Sequence, residues 1–201
     1  MSLFFISGPH GAGKTTLVKK LQEACPEILV PELKTKTPVF HTSPLERITM
    51  KICQRSIENF EALEIAENSP GRIVLANRCI YDALAYAEAY FSLGWINEKQ
   101  LEDQKNYALF AFPEKVRSPN AIVLNPPFST VKDRLGKRWQ SEPKKWNEDN
   151  VDYCRAACSA YAEYKGHRNI IYLKESDNIE KIVSLLKSRA PNPLLLVDNI
   201  A

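Results

Sequence analysis

The sequence feature that most constrains the fold lies at residues 8–15, which read Gly-Pro-His-Gly-Ala-Gly-Lys-Thr. They match all four fixed positions of the GxxxxGK[ST] pattern, a glycine-rich turn that binds phosphate between a strand and a helix. Residues 3–6 are aromatic and β-branched, as in a buried parallel strand. Apolar residues at 17, 18 and 21 have helical spacing. Strand, turn and helix together predict a phosphate loop.

Each position of this loop has a physical role. Glycines permit positive φ angles and close backbone approach, and the amides at the start of the helix favour an anion. Lys14 is the predicted contact of the β- and γ-phosphates, and the Thr15 hydroxyl is the predicted ligand of Mg²⁺. The alternative is a glycine-rich turn without a ligand. The residues predicted to hold the nucleotide are Gly8, Pro9, His10, Gly11, Ala12, Gly13, Lys14, Thr15 and Thr16.

The rest of the chain alternates short apolar runs with helical patterns. The further predicted strands are 27–30, 72–76, 121–124 and 169–173, and the helices between and after them are 44–67, 81–93, 96–112, 149–164 and 178–188. This alternation gives βαβ crossovers and a parallel sheet with helices on both faces. We therefore predict an α/β, three-layer P-loop NTPase fold with about five parallel strands. A short helical lid is expected over about 126–147, within one domain that spans 1–201.

Composition excludes several classes of protein. The 27 Lys and Arg against 24 Asp and Glu give a net charge of +3, which does not suggest a general nucleic-acid binder. No stretch reaches the ~18 apolar residues of a membrane span, and the apolar start lacks a basic leader. Five cysteines without CxxC spacing predict reduced thiols and a cytoplasmic protein. The apolar tail, 190–201, is expected to dock on the body or on a second subunit of a homodimer.

Polar residues follow two predicted strands at their carboxyl ends, where open α/β sheets bind ligands. Glu32 is a candidate to orient or deprotonate an acceptor hydroxyl, and the alternative is a solvated loop acid. Lys34 and Lys36 either neutralise an acceptor phosphate or are plain surface lysines. Arg78 is predicted to make a bidentate contact with a phosphoryl group. Asp82, one turn later, either holds Arg78 or contacts the substrate.

The predicted lid has four cations within residues 132–138. Arg134 and Arg138 are one helical turn apart and share a face, so they can close over phosphates and stabilise charge that develops during transfer. The alternative is a basic solvated helix. The Trp and Lys residues at 139–146 also permit stacking on nucleic acid, but acidic residues interrupt the stretch, and nucleic acid is not the favoured partner.

The phosphate loop, the polar residues after the strands and the basic lid segment follow one another along the chain in an order that resembles the P-loop nucleoside and nucleotide kinases. These include thymidylate kinase, the deoxynucleoside kinases and adenylate kinase. The same features also resemble small kinase-like P-loop proteins labelled AAA-family ATPases. The resemblance covers about residues 3–175. The strand-three [DE]-R pair of these kinases corresponds to Asn77-Arg78, and their R-x-x-x-R lid segment to Arg134–Arg138. Val30-Pro31-Glu32 is similar to the site of the catalytic glutamate of deoxynucleoside kinases.

The resemblance implies ATP- and Mg²⁺-dependent phosphoryl transfer to a small acceptor, a nucleoside or a nucleoside monophosphate. The catalytic residues it implies are Lys14, Glu32, Arg78, Arg134 and Arg138. Asn77 departs from the pattern, because these kinases have a carboxylate there that helps to hold Mg²⁺ or its waters. Two alternatives stay open. One is a nucleotide-dependent switch module with little or no hydrolysis, suggested by Asn77; the other is a polynucleotide-end kinase, suggested by 137–146.

Overall fold

The structure is a computed structural model that describes residues 2–33, 43–174 and 177–190. Within these ranges one parallel sheet has the strand order β2-β3-β1-β4-β5. The strands are β1 (Ser2–Ser7), β2 (Ile28–Leu29), β3 (Ile73–Asn77), β4 (Ala121–Leu124) and β5 (Ile170–Leu173). The predicted five-stranded parallel sheet is confirmed, and β2 is the strand that shortens most, to two residues at one edge.

Seven α-helices flank the sheet in the described part of the chain. They are α1 (Lys14–Ala24), α2 (Pro44–Glu67), α3 (Ile80–Ser92), α4 (Glu98–Ala111), α5 (Phe128–Arg138), α6 (Val151–Ala162) and α7 (Ile179–Arg189). The bounds of α2 follow from a capping box: the Ser43 hydroxyl accepts from the Glu46 amide at 3.3 Å, and the Glu46 carboxylate accepts from the Ser43 amide at 3.0 Å. None of these helices has the length and apolar composition that crossing a bilayer requires.

The core lies on both faces of the sheet, because strands buried on both sides send successive side chains in opposite directions. Phe5 belongs to the cluster that α2, α3, α5 and α6 cover. Its neighbour Phe4 belongs to the second cluster, which α1 and α7 cover through Leu21 and Leu186. The three-layer architecture predicted from the alternating pattern is therefore present.

The strand order determines which loops meet. β1 lies between β3 and β4, with Ile6 in register with Asn77 and Ser7 in register with Val123. The phosphate loop after β1 therefore emerges between the loops that follow β3 and β4, at the carboxyl edge of the sheet. Lys34, Lys36 and the tail 191–201 lie outside the described residues. The single domain, the docked tail and the homodimer accordingly stay predictions.

Candidate phosphoryl-transfer site

A cleft of about 1810 Å³ opens along the carboxyl edge of the sheet. Its walls come from the phosphate loop, α2, α3, α5 and the loops after β4 and β5. Pockets for a single small ligand usually measure ~300–1,000 Å³. The cleft therefore has room for a nucleotide and a second small molecule side by side.

The phosphate loop has the backbone that its glycines predict. Gly8 has φ 144°, and a Cβ there would lie 2.1 Å from the carbonyl oxygen of Leu124, so only glycine fits. Gly13 has φ 99° and caps α1 without a side chain. The first amides of α1 are consequently free of a side-chain cap, where the helix dipole favours an anion. Residues 10–16 of the predicted nucleotide site line the cleft, whereas Gly8 and Pro9 lie just behind them.

Lys14 is held against the loop that it follows. Its Nζ donates hydrogen bonds to the carbonyl oxygens of Gly8 and Pro9, at 2.7 and 2.8 Å. Burial and the nearby Arg78 guanidinium hold the pKa of Lys14 well below its usual value, although the Asp82 carboxylate opposes this shift. A negatively charged phosphate in the cleft would offset that repulsion and stabilise the charged ammonium.

Arg78 leaves β3 in a strained backbone conformation. Its φ of 67° lies in the left-handed region that non-glycine residues seldom adopt. Its amide donates to the Ile6 carbonyl at 2.9 Å, and its carbonyl accepts from Asn59 at 3.0 Å. The Nη1 atom of Arg78 donates to Oδ1 of Asp82 at 2.9 Å. These contacts hold a cleft-lining guanidinium beside the phosphate loop, where the sequence predicted it.

Of the two roles predicted for Asp82, holding Arg78 or contacting the substrate, the structure shows the first. Its buried carboxylate accepts from the Ser7 hydroxyl at 2.6 Å, the Tyr161 hydroxyl at 2.5 Å and the Cys79 amide at 2.9 Å, in addition to Arg78. Burial alone would raise the pKa of Asp82, but the positive charges of Arg78 and Lys14 and the two hydroxyls hold it below its usual value. Asp82 is an ionised anchor for Arg78.

The two lid arginines lie on one face of α5, as their spacing predicts, and both line the cleft. Arg134 Nη1 donates to the carbonyl oxygen of Ala12 in the phosphate loop at 2.8 Å. Arg138 forms an ion pair with Glu148. The predicted helical lid therefore touches the phosphate loop directly.

Glu148 is a residue of the site that the sequence interpretation missed. Its side chain is buried, lies 2.9 Å from His10 Nδ1 and accepts from the Lys145 amide at 3.0 Å. Burial opposes ionisation, but hydrogen bonds from His10 and Arg138 hold the pKa of Glu148 well below its usual range. Glu148 thus ties the phosphate loop to the lid. No spacing rule marks such a residue.

His10, one of the residues predicted to hold the nucleotide, packs in the cleft wall. Its ring centroid lies 5.6 Å from that of Tyr86. Burial lowers the pKa of His10 to about 4, helped by the charges of Arg78 and Lys14 and opposed by the hydrogen bond to Glu148. The imidazole is therefore neutral at pH 7.

A row of cations on α2 was also missed. Arg47, Lys51 and Arg55 recur every four residues, and all three line the cleft. Arg55 is paired with Glu58. The guanidinium of Arg47 lies 4.2 Å from the ring centroid of Trp146, a cation–π contact. The regular spacing within a predicted helix was a usable signal, because residues four apart share one helix face.

Aromatic side chains form the part of the cleft wall beside this row. Four of the rings that line the cleft pack together there, namely Tyr86, Tyr90, Trp146 and Tyr153. Trp146 and Tyr90 have ring centroids 5.7 Å apart, and Tyr86 stacks on Tyr153 at 6.1 Å. Tyr86 and Tyr90 both extend from α3 into the cleft wall. Tyr81 lies elsewhere and packs on Tyr164 at 5.1 Å.

The stacking surfaces proposed for nucleic acid are engaged within the chain. Lys144 Nζ lies 5.1 Å from the ring centroid of Trp139, and Arg47 covers Trp146. Both tryptophans of the 139–146 stretch therefore already contact cations of the protein itself.

Two predicted acceptor-side positions differ in where the structure places them. Asn77, at the end of β3, lines the cleft beside Arg78. Glu32 is exposed, three residues beyond the end of β2, and is not among the described residues that line the cleft. Its role as a base stays a prediction.

The fold and the phosphate loop define a P-loop protein. A family model described as AAA domain matches residues 3–146, and the chain belongs to this family. The resemblance drawn from the sequence is thereby confirmed. No curated protein sequence matches the chain.

Solved kinase structures share the fold. Deoxyadenosine kinase from M. mycoides with bound dATP has a TM-score of 0.63 at 15% identity, over 92% of this chain and 97% of that one. The same enzyme with the products dCMP and dCDP has a TM-score of 0.62 at 16% identity, over the same shares. Thymidylate kinase from Candida albicans has a TM-score of 0.62 at 14% identity, over 93% of this chain and 89% of that one. At such identities the likeness concerns the fold alone.

Proposed function

We propose that the protein transfers the γ-phosphoryl group of ATP, with Mg²⁺, to a small acceptor of the nucleoside or nucleoside monophosphate class. One observation carries this proposal: a single cleft joins the phosphate loop to arginines from β3 and the lid. Phosphoryl transfer depends mainly on positioning and on charge stabilisation, and this arrangement supplies both. The two kinases of the same fold support the choice of acceptor class.

The proposed roles follow from position in the cleft. The amides at the start of α1 and Lys14 would bind the β- and γ-phosphates of the donor. Arg134 and Arg138, on the face of α5 that lines the cleft, would stabilise negative charge on the group in transfer. Arg78, held by Asp82, would bind the acceptor side of that group. An acceptor oxygen then forms a bond to the γ-phosphorus while the bond to the bridging oxygen of ADP breaks.

The residues present are compatible with Mg²⁺. The ion usually keeps several waters and takes one or two protein ligands together with substrate phosphates. Thr15 is exposed at the start of α1 and lines the cleft, and the amide oxygen of Asn77 can accept a hydrogen bond from a metal-bound water. When bound, the ion neutralises charge on the β- and γ-phosphates.

A second candidate is a nucleotide-dependent switch that binds ATP with little or no turnover. The observation that favours it is the lack of a negatively charged group at Asn77, together with an Asp82 carboxylate already engaged by four donors. Such a protein would bind nucleotide through the same loop but would transfer its phosphate to no small acceptor.

One experiment separates these candidates. Wild-type protein, Lys14→Ala and the control Lys19→Ala are incubated with radiolabelled ATP, Mg²⁺ and a panel of nucleosides and their 5′-monophosphates. Lys19 is exposed on the same helix and does not line the cleft. We expect transfer by the wild type and by Lys19→Ala, and a loss of at least 1,000-fold in Lys14→Ala, because Lys14 contacts the transferring group.

The outcomes of this assay are distinct. Tight ATP binding without transfer to any acceptor would favour the switch. Transfer that survives in Lys14→Ala would contradict the proposed site.

A further inference from the structure

We propose, on the basis of the function proposed above, that the acceptor itself carries a phosphate group, as a nucleoside monophosphate does, and that Arg47 and Lys51 of α2 bind that phosphate. This narrows the acceptor class to phosphorylated molecules. It also assigns a binding role to a helix face that no sequence motif marks.

The first support is charge that the protein does not balance. Arg55 is paired with Glu58, and Arg78 with Asp82. Arg47 and Lys51 form no ion pair with any carboxylate of the described chain, although both are half-buried in the cleft wall. Lys51 donates to the Gln54 carbonyl oxygen at 2.8 Å, which is a neutral acceptor. A half-buried cation without a counter-charge is costly, and an anionic ligand removes that cost.

The second support is the convergence of these cations. Burial lowers the pKa of Lys51 to about 8, and the charges of Arg55, Arg47 and Arg78 contribute. The charge of Arg55 also lowers the pKa of Lys14 in the phosphate loop. Arg47, Lys51 and Arg55 also line the same cleft as Arg78 and Lys14, so a phosphate bound by α2 would lie in the cleft that holds the phosphate loop.

The third support is that the described residues on the acceptor side of the cleft include no carboxylate free to act as a base. A hydroxyl acceptor must lose a proton, whereas a phosphate oxygen is already anionic near pH 7 because its second pKa is about 6. Among the described residues that α2, α3 and the end of β3 contribute to the cleft, the carboxylate is Asp82. Its oxygens accept from Ser7, Arg78, Cys79 and Tyr161. A phosphorylated acceptor needs no such base.

The transfer then balances without a proton. An oxygen of the acceptor phosphate forms a bond to the γ-phosphorus of ATP. The bond between that phosphorus and the bridging oxygen breaks, and the electron pair leaves with ADP. A nucleoside monophosphate thereby becomes a nucleoside diphosphate.

The aromatic wall suits the rest of such an acceptor. Tyr86, Tyr90, Trp146 and Tyr153 line the same cleft, and Trp146 contacts Arg47 directly. Aromatic rings stack on a nucleobase regardless of its identity. Cations on α2 and rings beside them match a molecule with one anionic end and one planar end.

The test compares matched acceptors in the wild-type protein. Transfer from ATP is measured for nucleosides, their 5′-monophosphates, ribose 5-phosphate and an oligonucleotide with a free 5′-hydroxyl. We expect kcat/KM at least 100-fold higher for a monophosphate than for its nucleoside. Equal or better transfer to the nucleoside, or transfer to the oligonucleotide alone, would overturn the proposal. Equal transfer to ribose 5-phosphate would support the phosphate site and overturn the role of the aromatic wall.

Variants locate the phosphate site. Lys51→Met and Arg47→Met should each raise KM for the monophosphate at least tenfold and change KM for ATP less than twofold, while Lys51→Arg retains most of the activity. Lys99→Met is the matched control, because Lys99 is exposed on α4 and does not line the cleft. An unchanged KM for the monophosphate in both Met variants would contradict the assignment.

A binding measurement on the wild-type protein tests the phosphate site independently of the transfer assay. It applies even where ATP transfers its phosphate to no acceptor or where a variant does not fold. The Tm of the wild-type protein is recorded with each monophosphate and each nucleoside. A larger rise with the monophosphate supports the phosphate site even where the proposed transfer fails. Equal shifts with both would overturn it while leaving the proposed transfer to be judged by the assay above.

Discussion

The two halves of the cleft are built in different ways. The half that we propose for the donor is a contiguous loop, residues 8–15, with positive-φ glycines and a single lysine. The half that we propose for the acceptor is assembled from side chains of α2, α3 and the end of β3, which come from separate parts of the chain. The donor half can therefore be recognised from a sequence motif. The acceptor half can be recognised only from the folded structure, which brings its side chains together. The changes below should affect the two halves differently.

The largest expected effect comes from Asp82, which joins the halves by accepting from Ser7 in β1, Arg78 after β3 and Tyr161 in α6. Asp82→Asn leaves Arg78, whose side chain is only 11% exposed, without its counter-charge, and such losses cost about 3–5 kcal/mol. We expect a fall of that size in the free energy of unfolding, measured with urea. Asp152→Asn is the control, since the pair of Asp152 with Arg155 is exposed. A change below 1 kcal/mol in Asp82→Asn would show that the two halves are independent.

The next effect separates binding from turnover in the lid. Arg138→Ala should lower kcat about 100-fold, because it removes a cation that stabilises charge in transfer, and should change the Kd for ATP much less. Lys137→Ala, on the exposed side of the same helix, should leave both values within twofold. A Kd for ATP that rises as much as kcat falls would instead place Arg138 in ground-state binding of the donor.

A pH-dependent loss of stability should arise on the donor side. The folded-state pKa of His10 is about 4, below its unfolded value of 6.5, so the unfolded chain takes up the proton first as the pH falls. The stability that His10 contributes is present above pH 6.5 and is lost as the pH falls towards 4. We expect the free energy of unfolding to decrease by about 2 kcal/mol across this window. Urea unfolding at a series of pH values measures this change. In His10→Asn this step should disappear, and a step that persists would assign it to other groups.

The smallest effect tests the acceptor half alone. Ser43→Ala removes the cap of α2 and should cost about 1 kcal/mol of stability, since the first turn loses a hydrogen bond to the Glu46 amide. Fraying of this turn would move Arg47, so KM for the acceptor should rise a few-fold with KM for ATP unchanged. Equal changes in both KM values would contradict the separate construction of the two halves.

Local spacing was sufficient for much of this structure. The phosphate loop, the five strands, the α2 bounds and the shared face of Arg134 and Arg138 were all predictable. Each depends on residues within one or two turns of one another, where backbone geometry relates sequence spacing directly to position in space. The i, i+4 row on α2 belongs to the same category and could have been predicted.

The tertiary structure alone decided how distant residues pair. Tyr161 donates to Asp82 across 79 positions, and Arg134 reaches Ala12 across 122. Glu148 became a buried partner of His10 and Arg138, whereas Glu32 was placed outside the cleft. No periodicity connects such residues, because their proximity follows from strand order and helix packing. The sequence by itself therefore determined the phosphate-loop motif and the strand and helix that flank it, and the fold decided which side chains face that loop.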